Sequence, residues 1–157
     1  MLLNRRRLTS AFIFFLAAYT GGSAADEFDQ AEEYLRQGNL NKANWIYFSS
    51  LNNNVRVDEA RLGLAKSMMQ ARKYDAALQY VNAYLEANTN SDEALKLRSQ
   101  IFVLTGQWAN AVADIKRTMP TDDADMYMLL NVAYQKLDQP ELAGQAKDEF
   151  ERLQAGR

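Results

Sequence analysis

The chain has 157 residues, enough for one domain, and 48% of them are apolar, enough to bury a core. Its formal net charge is −2, and outside Arg5, Arg6 and Arg7 fifteen basic residues are scattered, never more than two together, among twenty acids, which argues against binding a phosphate backbone. It contains no Cys and no His, which removes disulfides, thiolate chemistry, the usual zinc ligands and the commonest general base.

The first element in chain order is an address. A short basic stretch ends at Arg7, an uncharged apolar run covers Leu8 to Tyr19, and Gly21-Gly22-Ser23-Ala24-Ala25 is small throughout. That order predicts a secretory signal peptide over 1–25, cut after Ala25 or Ala24. The apolar run is shorter than the roughly 20 residues that span a bilayer. A mature domain of 26–157, periplasmic or secreted and with no stable membrane span, is therefore expected.

Eight helices in four pairs are predicted beyond it: 27–37 and 41–52, 57–71 and 74–87, 91–105 and 108–118, 122–136 and 140–154. Apolar residues recur at helical spacing, as in Ala60, Leu64, Ala65 and Met68 answered by Ala77, Val81, Tyr84 and Leu85, and no run alternates as a strand would. Gly38 and Gly106 can end a helix in the left-handed conformation. Asn52-Asn53-Asn54 and Asn88-Thr89-Asn90 read as turns between pairs. Pro120 stops a helix, Thr121 is the expected cap of the next, and Pro140 suits a first helical turn. Asp122, Asp123 and Asp125 there complement the helix dipole rather than form a metal site. Gly63, inside a helix, marks a close approach.

One feature recurs through all four pairs. Ala43, Ala77 and Ala111 lie 34 residues apart, and Ala143 follows after 32. Each comes just after the turn, where two helices must approach closely and only a methyl fits. A fixed period of this length marks an array of helical hairpins. The aromatic, turn, bulky, alanine and apolar positions are Tyr34, Gly38, Leu40, Ala43 and Tyr47 in the first unit. They are Met68, Arg72 (in place of Gly), Tyr74, Ala77 and Val81 in the second, and Phe102, Gly106, Trp108, Ala111 and Ile115 in the third. The fourth keeps Tyr134, Pro140 and Ala143, and Lys147 breaks the apolar step.

On these residues the chain resembles the tetratricopeptide repeat (TPR) family over 27–154. The resemblance implies an all-α fold, a right-handed α-solenoid of about four hairpins, whose first helices line a groove that grips a peptide or helix of a partner. It places Leu35, Arg36, Leu62, Lys66, Met69, Lys96, Gln100, Val103, Val132, Gln135 and Lys136 in that groove, with Phe28, Glu32, Gln70, Leu104 and Met128 beside them. Arg36, Lys66, Lys96 and Lys136 are expected to give the groove a positive bias, suited to a partner with apolar anchors and some acids. The chaperone-binding members hold a C-terminal carboxylate with a Lys–Asn–Asn–Lys–Arg clamp. Here Phe28, Glu32, Gly63, Glu93 and Leu97 stand in those places, so that ligand is not expected.

Trp45 and Phe48 lie three apart on a helix that is apolar nearly all round. They form either an aromatic interface or the seat of the chain's own N-terminal segment. The expected function is an exported, non-enzymatic adaptor with no cofactor and no metal, binding a protein or peptide in an envelope, pilus or secretion assembly. The alternative is a cytoplasmic chaperone similar to class II chaperones of type III secretion. The oligomeric state is left open.

Overall fold

The computed structural model describes residues 24–156. Eight helices follow in order: α1 (Ala24–Arg36), α2 (Leu40–Asn52), α3 (Val57–Gln70), α4 (Tyr74–Ala87), α5 (Asp92–Leu104), α6 (Trp108–Arg117), α7 (Ala124–Lys136) and α8 (Pro140–Ala155). There is no strand among the described residues. Of the expected signal, 1–25, only Ala24 and Ala25 fall among the described residues, and they open α1.

The four hairpin turns are one device used four times. Gly38, Arg72, Gly106 and Asp138 take φ of 72°, 57°, 75° and 54°. The next residue then bonds back five places: Asn39 N–H to Tyr34 O at 2.8 Å, Lys73 to Met68 at 2.9 Å, Gln107 to Phe102 at 2.7 Å and Gln139 to Tyr134 at 2.9 Å. This left-handed stop satisfies carbonyls that the helix end leaves open. Glycine adopts it freely. Arg72 and Asp138 adopt it against their side chains, so hairpin geometry overrides local preference at those two turns.

Short polar side chains cap α5 and α7, which follow loops between pairs, whereas α3 starts after Arg56 with no side-chain cap. Ser91 Oγ accepts from Ala94 N–H at 3.4 Å, and Asp123 Oδ1 accepts from Asp125 N–H at 3.0 Å. The expected cap at α7, Thr121, is displaced. Thr121 Oγ1 accepts instead from Asp123 N–H at 3.1 Å, folding the loop so that Asp123 becomes the capping residue.

The hairpins stack in sequence, and the core lies between them as much as inside them. Ala43, Ile46 and Tyr47 of the first hairpin pack with Ala60 and Leu64 of α3. Val81 and Leu85 of α4 pack with Ala94, Leu95 and Ile101 of α5. Val112 and Ile115 of α6 pack with Met126 and Leu130 of α7. Each hairpin thus hides its apolar face on the next, as a stacked repeat requires. The four period alanines, Ala43, Ala77, Ala111 and Ala143, are all buried.

Gly63 marks the tightest of these contacts. A Cβ there would lie 2.3, 2.5 and 2.7 Å from Cζ, Cε1 and Cε2 of Tyr47. The ring is fully buried, and burying an aromatic of this size is worth about 2–3 kcal/mol. The glycine that weakens α3 locally is what lets that ring in.

First helices of successive hairpins touch: α1 meets α3, α3 meets α5, and α5 meets α7. The backbones of the second helices, α2, α4, α6 and α8, stand further apart from one another. The array therefore curves with its first helices on the inner side.

Candidate functional site

The inner face is built from α1, α3, α5 and α7, and its charges are arranged across hairpin boundaries. Lys66 on α3 lies 3.5 Å from Glu32 Oε1 of α1 and 2.8 Å from Glu93 Oε1 of α5. Lys96 on α5 lies 2.5 Å from Asp123 Oδ2 and 3.3 Å from Asp125 Oδ2, at the start of α7. Tyr47 O–H, buried between the first two hairpins, donates to Glu32 Oε1 at 3.2 Å. Each lysine therefore ties one hairpin to a neighbour. Burial works against the charge on both lysines, yet hydrogen bonds and attraction from Glu93 and Glu32, and from Asp123 and Asp125, hold their pKa above the ordinary Lys value. Burial, then Glu32, pushes the Tyr47 phenol far up.

This arrangement corrects the expected positive bias. The two central lysines are already matched by four carboxylates. They are also the covered partners: both lysine side chains are 29% exposed, against 61% for Glu93 and 60% for Asp125. What reaches water in the middle of the face is negative. Arg36 is exposed but paired with Glu33 on its own helix, and Lys136 is exposed at the far end of α7.

The remaining groove candidates separate by burial. Leu35 and Leu62, with Phe28, are core residues with almost no surface to offer. Met69 is partly buried against the middle core and Val103 against the last one. Gln100 and Val132 are half-buried on the inner face. Leu104 and Met128 are the apolar side chains that stand out, at 55% and 45% exposed. Gln135 belongs to the end of the array. With Met128, Asn131, Lys147, Phe150 and Glu151 it lines a concavity of about 350 Å³ between α7 and α8. Met128 is common to that concavity and to the inner face.

The outer side carries a different feature. Trp45 is 73% exposed and Phe48 40% exposed on α2. Phe48 meets Tyr80 of α4 edge-on, ring centroids 6.4 Å apart. The N-terminal segment considered as their cover lies outside the described residues.

A buried ion pair escaped the sequence reading. Arg98 on α5 holds Asp114 on α6 through two bonds, Nε to Oδ2 at 2.6 Å and Nη2 to Oδ1 at 2.7 Å. Its remaining nitrogen, Nη1, donates to Asn82 Oδ1 on α4 at 2.7 Å. One guanidinium thus braces three successive helices, with the bidentate geometry that suits arginine. The pair lies away from the inner-face lysines and acts on stacking rather than on recognition.

No family description and no curated protein matches the sequence. Solved structures do match its shape. A structure of MamA (AMB-1) superposes with a TM-score of 0.73 at 15% identity, covering 94% of this chain and 82% of that one. Two point-mutant structures of MamA give TM-scores of 0.72 and 0.59, each at 15% identity. The first covers 87% of this chain and 76% of the other, and the second 84% and 98%. The fold is a TPR-like helical solenoid. No helix among the described residues is long and apolar enough to cross a membrane.

Proposed function

We propose that the chain is an exported, non-enzymatic TPR-like adaptor. It holds a peptide or helix of a partner protein against its inner face, in a periplasmic or secreted envelope, pilus or secretion assembly. The observation that carries this reading is the inner face itself. Four first helices lie side by side, Leu104 and Met128 stand exposed on them, and the surrounding charges are fixed by contacts between hairpins. A partner helix or strand laid across such a face gains apolar burial from a few anchors and register from fixed charges. The basic, apolar and small-residue order of 1–25 supports export.

Two experiments test the reading. A photo-crosslinking side chain at Leu104, on the inner face, should yield a discrete adduct in cells that the same group at Gln79, on the outer α4 surface, does not. Identical adducts from both positions, or none from Leu104, count against it. N-terminal sequencing should find a chain starting at Asp26 or Ala25. An intact Met1 in the cytoplasm would instead favour the chaperone of the type III secretion kind.

A further inference from the structure

We infer that the partner segment held by the inner face is basic, an extended or helical stretch in which Lys or Arg residues flank apolar anchors. The inference rests on the reading of the inner face as the docking surface and adds the charge of its occupant. Of the four cations on the face, Lys66 and Lys96 at its middle are each engaged between two carboxylates from neighbouring helices, Arg36 is paired with Glu33, and Lys136 stands at the far end of α7. An acidic segment would have to displace those carboxylates. A basic one meets them as they stand, because Glu93 and Asp125 keep most of their side-chain surface open to water.

The apolar part of the face lies alongside. The acids occupy the first turns of α5 and α7, and the apolar side chains follow further along the same helices: Leu104 at the end of α5, Met128 and Val132 in α7. Between the starts of α5 and α7 a concavity of about 260 Å³ opens, lined by Asp92, Glu93 and Asp123 together with Thr118, Thr121 and Met126 around Lys96. Its mixed wall suits the aliphatic stem and charged head of a long basic side chain. The occupant therefore carries apolar residues toward Leu104 and Met128 and cations toward Glu93 and Asp125. This is charge complementarity of the kind that sets specificity and on-rate more than total affinity.

The test uses the full chain and two labelled synthetic peptides of identical length and leucine spacing, one with Lys and one with Glu at every polar position. Fluorescence anisotropy should show the Lys peptide binding roughly tenfold tighter at low salt, with the gap closing as salt is raised. Glu93→Gln with Asp125→Asn should erase that preference with the circular dichroism spectrum unchanged. Neutralising two acids on second helices, Glu86→Gln with Asp148→Asn, should leave it in place. Equal or tighter binding of the Glu peptide overturns the inference and leaves the docking reading standing. So does a preference that survives the inner-face variant or falls with the outer one. Binding of neither peptide up to about 1 mM overturns the docking reading, and the inference with it.

Discussion

The stacking face of the first hairpin and the corresponding face of the last share a backbone and differ in chemistry. In the first hairpin the six positions that meet the next unit are Phe28, Ala31, Leu35, Tyr47, Ser50 and Leu51, five of them buried and Leu51 partly so. In the last hairpin the same positions are Met128, Asn131, Gln135, Lys147, Phe150 and Glu151, the residues that line the terminal concavity. Where Tyr47, Val81 and Ile115 disappear completely between hairpins, Lys147 stands in water and lies 3.6 Å from Glu151. Asn131, at the position of the small Ala31, Ala65 and Ser99, donates to Ala143 O at 2.8 Å. The same backbone thus presents a buried stacking face in one hairpin and a polar, hydrated face in another, by a change of side chains rather than of fold.

The largest effect expected from this contrast is a charge swap at one position. Ile115→Lys puts an unpaired ammonium between α6 and α7 and should cost about 4 kcal/mol or more, abolishing the cooperative urea transition. Lys147→Ile at the end face should leave stability within about 0.5 kcal/mol. It should also raise self-association in sedimentation, because it extends an exposed apolar patch. If Lys147→Ile destabilises as strongly as Ile115→Lys, the two faces are not the alternatives described.

The two helical glycines sharpen the same contrast with one substitution of opposite sign. Gly63→Ala drives a methyl into the Tyr47 ring and should lose about 1–3 kcal/mol in urea denaturation. Gly144→Ala in α8, where nothing lies within 4 Å, should gain about 0.5–1 kcal/mol. A gain of similar size is expected at a hairpin turn. Arg72→Gly relieves the left-handed strain and should raise the thermal midpoint by the equivalent of about 1 kcal/mol, Asp138→Gly by less, because Asp tolerates that conformation better.

The smallest effect is one of pH. The Tyr47 phenol is raised above its ordinary value of 10.0 by burial and by Glu32, so the folded state keeps that proton longer than the unfolded chain does. Its contribution is whole below pH 10 and declines as pH rises beyond it. The urea midpoint should therefore fall more steeply above pH 10 in the wild type than in Tyr47→Phe.

Much of this was legible in the sequence, for a physical reason. The turn, the following bulky residue and the close-approach alanine are local demands of a helical hairpin, so their spacing gives the period, and every helix ends within three residues of its expected bounds. Arg72 was legible as standing in place of Gly because it falls in phase with Gly38 and Gly106, and it takes the same left-handed conformation. Pairing between hairpins was not legible in this way. Lys66 reads as a free groove cation until the stagger between α3 and α5 sets Glu93 beside it, and the Arg98–Asp114 brace likewise depends on how α5 lies on α6. Leu35 and Leu62 were assigned to the groove because helical phase alone does not say how far a neighbouring first helix covers them. At α7 the sequence pointed to Thr121 as the cap, and the loop conformation gives that role to Asp123, two residues on.

The central claim is that consecutive hairpins stack closely enough for the Tyr47 ring to fill the space a side chain at residue 63 would need. Nuclear Overhauser effects between the Tyr47 ring protons and the Gly63 α-protons measure this directly. The account predicts strong cross-peaks that vanish in Tyr47→Leu, together with Gly63 shifts displaced from random-coil values. Random-coil Gly63 shifts with no cross-peak to Tyr47 would contradict it.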